Sequence, residues 1–173
     1  EKKLDCYVKE INLIIDDNNF IEIDMSSTRN FKNSFKEINN LSNSLVDLKN
    51  NIKQYIFGYE IVHLIINRFI VGKKSYFSIP NEINDEKLFL EIRFICLKVD
   101  IYKNFQKIFS KYQIKIKNIL NYQYVKSFKK SDQDNLFHIS EKLINGFNQN
   151  EIMLINKTNK NNGFFEKFFN FFG

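Results

Sequence analysis

Two stretches near the start of the chain alternate between apolar and polar residues. Glu10–Ile15 (Glu-Ile-Asn-Leu-Ile-Ile) and Phe20–Met25 (Phe-Ile-Glu-Ile-Asp-Met) read as two strands, and the second alternates cleanly enough to imply one buried face. Asp16-Asp17-Asn18-Asn19 between them is turn chemistry, so the pair is expected to be a hairpin. The period then changes. From Lys36 to Gln54, Ile38, Leu41, Leu45, Leu48 and Ile52 recur at spacings of three and four and predict an amphipathic helix. Tyr59–Val71 and Lys87–Lys98 are long apolar runs rich in Ile, Val and Phe, expected to be two central strands lying as antiparallel neighbours. Gly72-Lys73-Lys74 and the loop Ser78–Asn84, with the single proline Pro80, separate them. Asp100 is placed to cap a helix bearing Ile101, Phe105, Ile108, Phe109 and Tyr112. Ile114-Lys-Ile-Lys-Asn-Ile119 alternates again and closes the series as a strand.

The order β-β-α-β-β-α-β predicts an α+β fold, a small mixed or antiparallel sheet with two helices on one face. Leu120–Phe128 reads as a short helical turn. Asp132–Phe147 carries Leu136, Ile139, Leu143 and Ile144 on one face and ends near Gly146, a suitable C-cap neighbourhood. Glu151–Ile155 reads as a short strand. The expected organisation is an α+β module over residues 1–128, a short helix and strand over 129–155, a polar tether over 156–162 and an amphipathic helix over 163–173.

That last helix is the most informative pattern in the chain. Of the nine residues between Gly163 and Gly173, six are phenylalanine. At 100° per residue, Phe171, Phe164, Phe168, Phe172, Phe165 and Phe169 share one arc of about 160°, with Glu166, Asn170 and Lys167 opposite. Such a face must lie on something: a lipid surface suits it best, ahead of the chain's own core or a groove on a partner. The membrane-binding residues are therefore expected to be Phe164, Phe165, Lys167, Phe168, Phe169, Phe171 and Phe172. Each fully buried ring stabilises by roughly 1.5–3 kcal/mol, but an interfacial helix buries rings only in part. So short a helix is marginal in water and folds as it inserts, which cuts the net gain to about a few kcal/mol. Lys157 and Lys160 would supply the attraction to anionic lipid. One copy binds weakly; several on one assembly reside. The segment Asn156–Asn162 before the helix is polar throughout and reads as a flexible tether.

Composition changes this picture little. The chain has 173 residues, no alanine, one proline and five glycines, and is rich in Ile, Asn, Lys and Phe, the signature of an AT-rich coding sequence. The formal charge of +6 is spread along the chain, with Lys73-Lys74 and Lys129-Lys130 the notable pairs, so a nucleic-acid face is not expected. Cys6 and Cys96 sit in apolar runs without a CxxC, which fits a reducing compartment. No run of eighteen apolar residues predicts a membrane-spanning helix. Isolated glycines make no phosphate loop. His63, inside the apolar run Ile61–Ile66, reads as a hydrogen-bonded structural histidine rather than a ligand. His138 has no second ligand one turn on, and Asp16-Asp17 reads as a solvated turn. No catalytic constellation, metal site or cofactor site is expected, and the chain is read as non-enzymatic.

Element order and local matches together resemble a known family. Ile61-Val-His-Leu-Ile-Ile-Asn-Arg-Phe-Ile-Val71 resembles a "V-L-H-x-I-P-x-x-Y" strand in the small subdomain inserted into FtsA, the actin-like bacterial cell-division protein. His63 matches its histidine, while the proline and tyrosine of that pattern are not kept. Leu90–Leu97 resembles the family's "V-H-x-I-T-x" strand, Asn104-Phe-Gln-Lys-Ile-Phe its "N-x-x-K-x-x-x-x-x-G" helix, and Ile114–Ile119 its closing strand. Gln113 or its neighbour stands where the family carries glycine. The matches cover roughly residues 8–128, and the family also ends in a membrane-targeting helix.

The resemblance implies a cell-division adaptor, peripheral on the inner face of the cytoplasmic membrane. Its partners would be that membrane, division proteins including FtsZ indirectly, and further copies of itself. The family's ATPase halves, with an Asp-Ile-Gly-Gly-Gly-Thr phosphate loop, have no counterpart in these residues, so ATP binding is carried to none of them. The chain begins at Glu1 rather than Met, and a fragment or a strongly reduced family member is expected. The alternative is a soluble assembly subunit of a PilM-like pilus or secretion platform, its terminal aromatics packed on a partner protein.

Overall fold

A computed structural model of the chain describes residues 7–30, 38–80 and 87–152. The fold is α+β, as the periodicities predict, with its strands in one sheet of two and one of four. The described elements are β1 (Glu10–Ile15), β2 (Phe20–Asn30), α1 (Ile38–Tyr55), β3 (Tyr59–Val71), β4 (Lys74–Tyr76), β5 (Lys87–Lys98), α2 (Val99–Ser110), β6 (Lys115–Asn121), α3 (Tyr122–Lys126) and α4 (Leu136–Ile144). They fall into two compact units. The described residues of the first come from 7–21, Gly58–Val62 and Ile95–Phe147, and those of the second from the remainder.

In the first unit β1 pairs with β6, in parallel, from Glu10↔Lys115 to Ile15↔Asn121 with a bulge between Ile11 and Asn12. The expected hairpin of β1 with β2 does not form: β2 pairs with β5 in the other sheet. Between them the Asp17 carboxylate accepts from the Asn19 backbone N–H at 2.7 Å, a local Asx turn, and no residue of Asp16–Asn19 takes the positive φ of a two-residue hairpin turn. A parallel pair needs a long crossover, which places β1 and β6 far apart in sequence.

Asp100 does not cap α2. Strand β5 runs directly into the helix, so the N-cap position falls on Lys98, which makes no side-chain cap, and Asp100 sits in the first turn. The Val99 N–H donates to the Gly58 carbonyl at 2.7 Å instead. At its far end α2 is closed by backbone alone: Gln113 N–H donates to Ser110 O at 3.0 Å and Ile114 N–H to Phe109 O at 3.1 Å. Gln113 adopts φ 58 to make both bonds, the left-handed closing residue of a Schellman turn. Asn121 and Asn135 cap α3 and α4 through their side-chain oxygens, each at 2.8 Å from a backbone N–H. Gly146, at φ 84, ends α4 as the periodicity predicts. The core of this unit includes Ile15, Leu97, Leu120, Val125 and Leu143. Tyr124, Phe128 and Phe147 stack edge to face across the ends of α3 and α4.

The four-stranded sheet runs in the order β2-β5-β3-β4, so the two long apolar runs are neighbours, as expected. The short strand β4 pairs antiparallel with the end of β3, from Phe69↔Tyr76 to Val71↔Lys74, and sequence periodicity missed it because three residues carry no period. In the second unit Leu88, Leu90, Ile92 and Phe94 alternate inward along β5 and are almost fully buried. Leu45 and Ile52 of α1, two turns apart, are buried as well. The expected strand Glu151–Ile155 is reduced to one antiparallel bridge, Ile65↔Glu151; residues 153–155 lie outside the described residues.

Candidate functional site

The residues expected to touch lipid, Phe164, Phe165, Lys167, Phe168, Phe169, Phe171 and Phe172, lie outside the described residues, as does the polar segment Asn156–Asn162. The structure describes the point from which that segment departs. Ile66 N–H donates to Asn150 O at 2.9 Å and Ile152 N–H to Leu64 O at 2.8 Å, so residues 150–152 lie along β3. The Asn150 amide donates to the Phe77 carbonyl. Between these bonds the His63 Nδ1 meets Glu151 Oε1 at 2.6 Å, with the two side chains 3% and 10% exposed. His63 is thus the hydrogen-bonded structural histidine its apolar surroundings predict. It fixes the root of the C-terminal segment on the sheet.

The outward face of β2, β5 and β3 in the same unit is charged. Because β5 alternates, burying Ile92 and Phe94 turns Glu91 and Arg93 outward. Arg93 grips Asp24 with two nitrogens at 2.8 and 2.9 Å and reaches Glu22 at 3.1 Å. The Arg93 hydrogen bond holds the Asp24 carboxyl below its ordinary range, and Asp24 in turn raises the guanidinium. Arg68 of β3 pairs with Glu91 at 3.6 Å and lies 5.8 Å over the Phe77 ring. Asp24, Arg68, Phe77, Glu91 and Arg93 line an open groove of about 660 Å³. Each arginine is already engaged by a carboxylate, so an incoming anion would have to displace Asp24 or Glu91. The arrangement is a cross-strand ladder that orders the sheet face, not a vacant charge pocket. Alternation at Glu22/Asp24 and Glu91/Arg93 carried that signal in the sequence, and only the strand order could bring the two together.

Elsewhere the titratable groups are set apart. His138 is exposed on α4, 3.9 Å from Glu141 one turn away. Burial, with Glu60 second, pushes the Cys96 thiol up to about 11, which keeps it protonated and unreactive. Among the described residues no group of three or more His, Cys, Asp and Glu is placed to hold a metal ion. No helix among them is long and apolar enough to cross a membrane.

The stretches that carry the resemblance to FtsA fall on consecutive long elements. Ile61–Val71 is the body of β3, Leu90–Leu97 lies in β5, Asn104–Phe109 in α2, and Ile114–Ile119 leads into and through most of β6. Gln113, six residues after Lys107, is the non-glycine residue with positive φ among those described. Comparison adds nothing to this: no family model matches the chain, and no curated protein does.

Proposed function

We propose that this chain is a membrane-associated adaptor of the bacterial division machinery, related to FtsA through that protein's inserted subdomain and its C-terminal targeting helix. It performs no catalysis with these residues. Its α+β body makes protein–protein contacts, and Phe164–Phe172 tether it to the inner face of the cytoplasmic membrane.

The left-handed Gln113 carries this reading. The helix pattern of the resemblance calls for glycine six residues after its lysine, and Gln113 holds at that position the backbone geometry glycine favours. A pattern of isolated letters acquires a conformational reason there. The clamped root of the tail also suits the role, because a tether transmits load only if its attachment is firm.

Co-sedimentation with liposomes tests the tether. The full chain is expected to pellet, increasingly so with protein concentration, while the Phe168→Asp/Phe169→Asp chain stays in the supernatant. Equal pelleting would remove the anchor. A fluorescent fusion in dividing rod-shaped bacteria tests the division role: a band at midcell is expected, and an even outline of the cell would leave a membrane protein with no link to division.

A further inference from the structure

Helix α2 is strongly amphipathic, yet none of its residues is buried. Ile101, Phe105 and Phe109 are half covered, in a helix that packs against β6. Ile108 is 50% exposed, and Tyr112 just beyond the helix is 71% exposed. On a 100° step Lys107, Lys111, Ile108 and Tyr112 follow one another across about 140° of the helix surface. Ile108 and Tyr112 therefore lie side by side on the surface, with Lys111 and Lys107 along one edge of the pair.

A second strand of evidence brings more of the same chemistry to this end of the first unit. The Lys115 N–H donates to the Lys9 carbonyl at 2.8 Å, right after the turn at Gln113 that closes α2. Lys9 is exposed and follows Tyr7, which is 82% exposed. Between Lys98 and Lys117 the chain has six lysines and one acidic residue, Asp100, at the opposite end of α2.

We propose that this corner, Ile108 and Tyr112 with Tyr7 and the lysines around them, is a second lipid contact that lies on an anionic membrane surface. The inference deepens the membrane reading above and rests on it for the presence of a bilayer. Composition selects lipid over a protein partner. The cores of protein interfaces are depleted in lysine, whereas interfacial elements combine lysine with tyrosine and aliphatic side chains. Charge complementarity points the same way: beside Ile108 and Tyr112 the exposed arc offers Lys107 and Lys111, while Asp100, which shares that arc, lies two turns back and Glu10 is engaged by Lys115. Two weak contacts on one chain also resolve the marginal affinity of the tail, because the second engages at the effective concentration set by the first.

The test uses the full chain and vesicles of phosphatidylcholine with and without phosphatidylglycerol. Lys107→Gln/Lys111→Gln removes two exposed charges, each worth about 1 kcal/mol near an anionic surface, so binding to the anionic vesicles should fall by about 25-fold. Binding to neutral vesicles should hardly change. Ile108→Ser/Tyr112→Ser should weaken binding to both. The proposal is overturned if these two variants pellet like the native chain while Phe168→Asp/Phe169→Asp does not, an outcome that leaves the tail anchor standing. Loss in the α2 variants with an unaffected Phe168→Asp/Phe169→Asp chain would support this contact and sink the tail instead. Loss of self-association in the α2 variants without loss of lipid binding would mark the corner as a protein interface and refute the proposal.

Discussion

Replacing Gln113 by glycine should make the protein more stable. A side chain held in the left-handed region costs about 1–2 kcal/mol. Gln113 is held there, at φ 58, by its own bond to Ser110 O and that of Ile114 to Phe109 O. Glycine escapes that cost but loses more backbone freedom on folding, roughly 0.5–1 kcal/mol. Gln113 is exposed, so its removal forfeits no burial. The balance favours Gln113→Gly by about 0.5–1 kcal/mol, or about 1–4 °C in Tm for a protein of this size. Calorimetry with urea titration on the same variant would read it. Asparagine, which tolerates the left-handed region, should lie between, and valine, branched at Cβ, should cost at least about 1 kcal/mol. A glycine variant no more stable than the native chain, with valine equally neutral, would mean that the residue is not left-handed in solution. The conformational support for the resemblance would go with it.

Two further outcomes follow from the second unit. His63→Leu leaves the Glu151 carboxylate buried without the imidazole, and breaking such a pair should cost about 3 kcal/mol, read as a lower urea midpoint. The same change should expose residues 150–152 to hydrogen exchange, because the pair pins them to β3. Asp24 has a folded pKa depressed chiefly by the Arg93 hydrogen bond. Its contribution is therefore present above the unfolded carboxyl pKa of about 3.9 and is lost as pH falls through the lower folded value. Asp24 is mostly exposed, so the loss should stay below about 1 kcal/mol, and Arg93→Met should abolish that part of the acid limb in a pH series of urea melts.

The elements of this fold were legible where one face is wet and one dry. Phe20–Met25, Lys87–Lys98 and Ile38–Ile52 each carry a single period over several residues, and each forms the element it predicts. Pairing was not legible. Asp16–Asn19 has the composition of a hairpin turn, but composition does not fix φ, and β1 found its partner some hundred residues away. The cap of α2 failed for a related reason: the loop a capping Asp100 requires does not exist when a strand passes straight into a helix. His63 was legible as structural because a polar ring inside an apolar run has to be satisfied, while its partner was not, since Glu151 sits in a stretch with no pattern of its own. The exposed corner of α2 was hidden by the strength of its periodicity. A clean apolar stripe reads as core, and only the structure shows how little covers it.

Glycine usage ties the resemblance to the physics. The described residues include three glycines, Gly58, Gly72 and Gly146, with φ 82, 59 and 84. In a chain poor in glycine, each of these three lies where an L side chain is penalised. Gln113 is the exception, a left-handed position that has no glycine. A single strained residue persists when its surroundings over-determine it. Here the Ser110 and Phe109 carbonyls and the Lys115 bond to Lys9 lock the chain on both sides. The backbone here makes the turn that glycine would make, although the residue is glutamine. Gln113→Gly is therefore more than a stability variant: it asks whether the position behaves as the glycine site that the proposed relation to FtsA calls for.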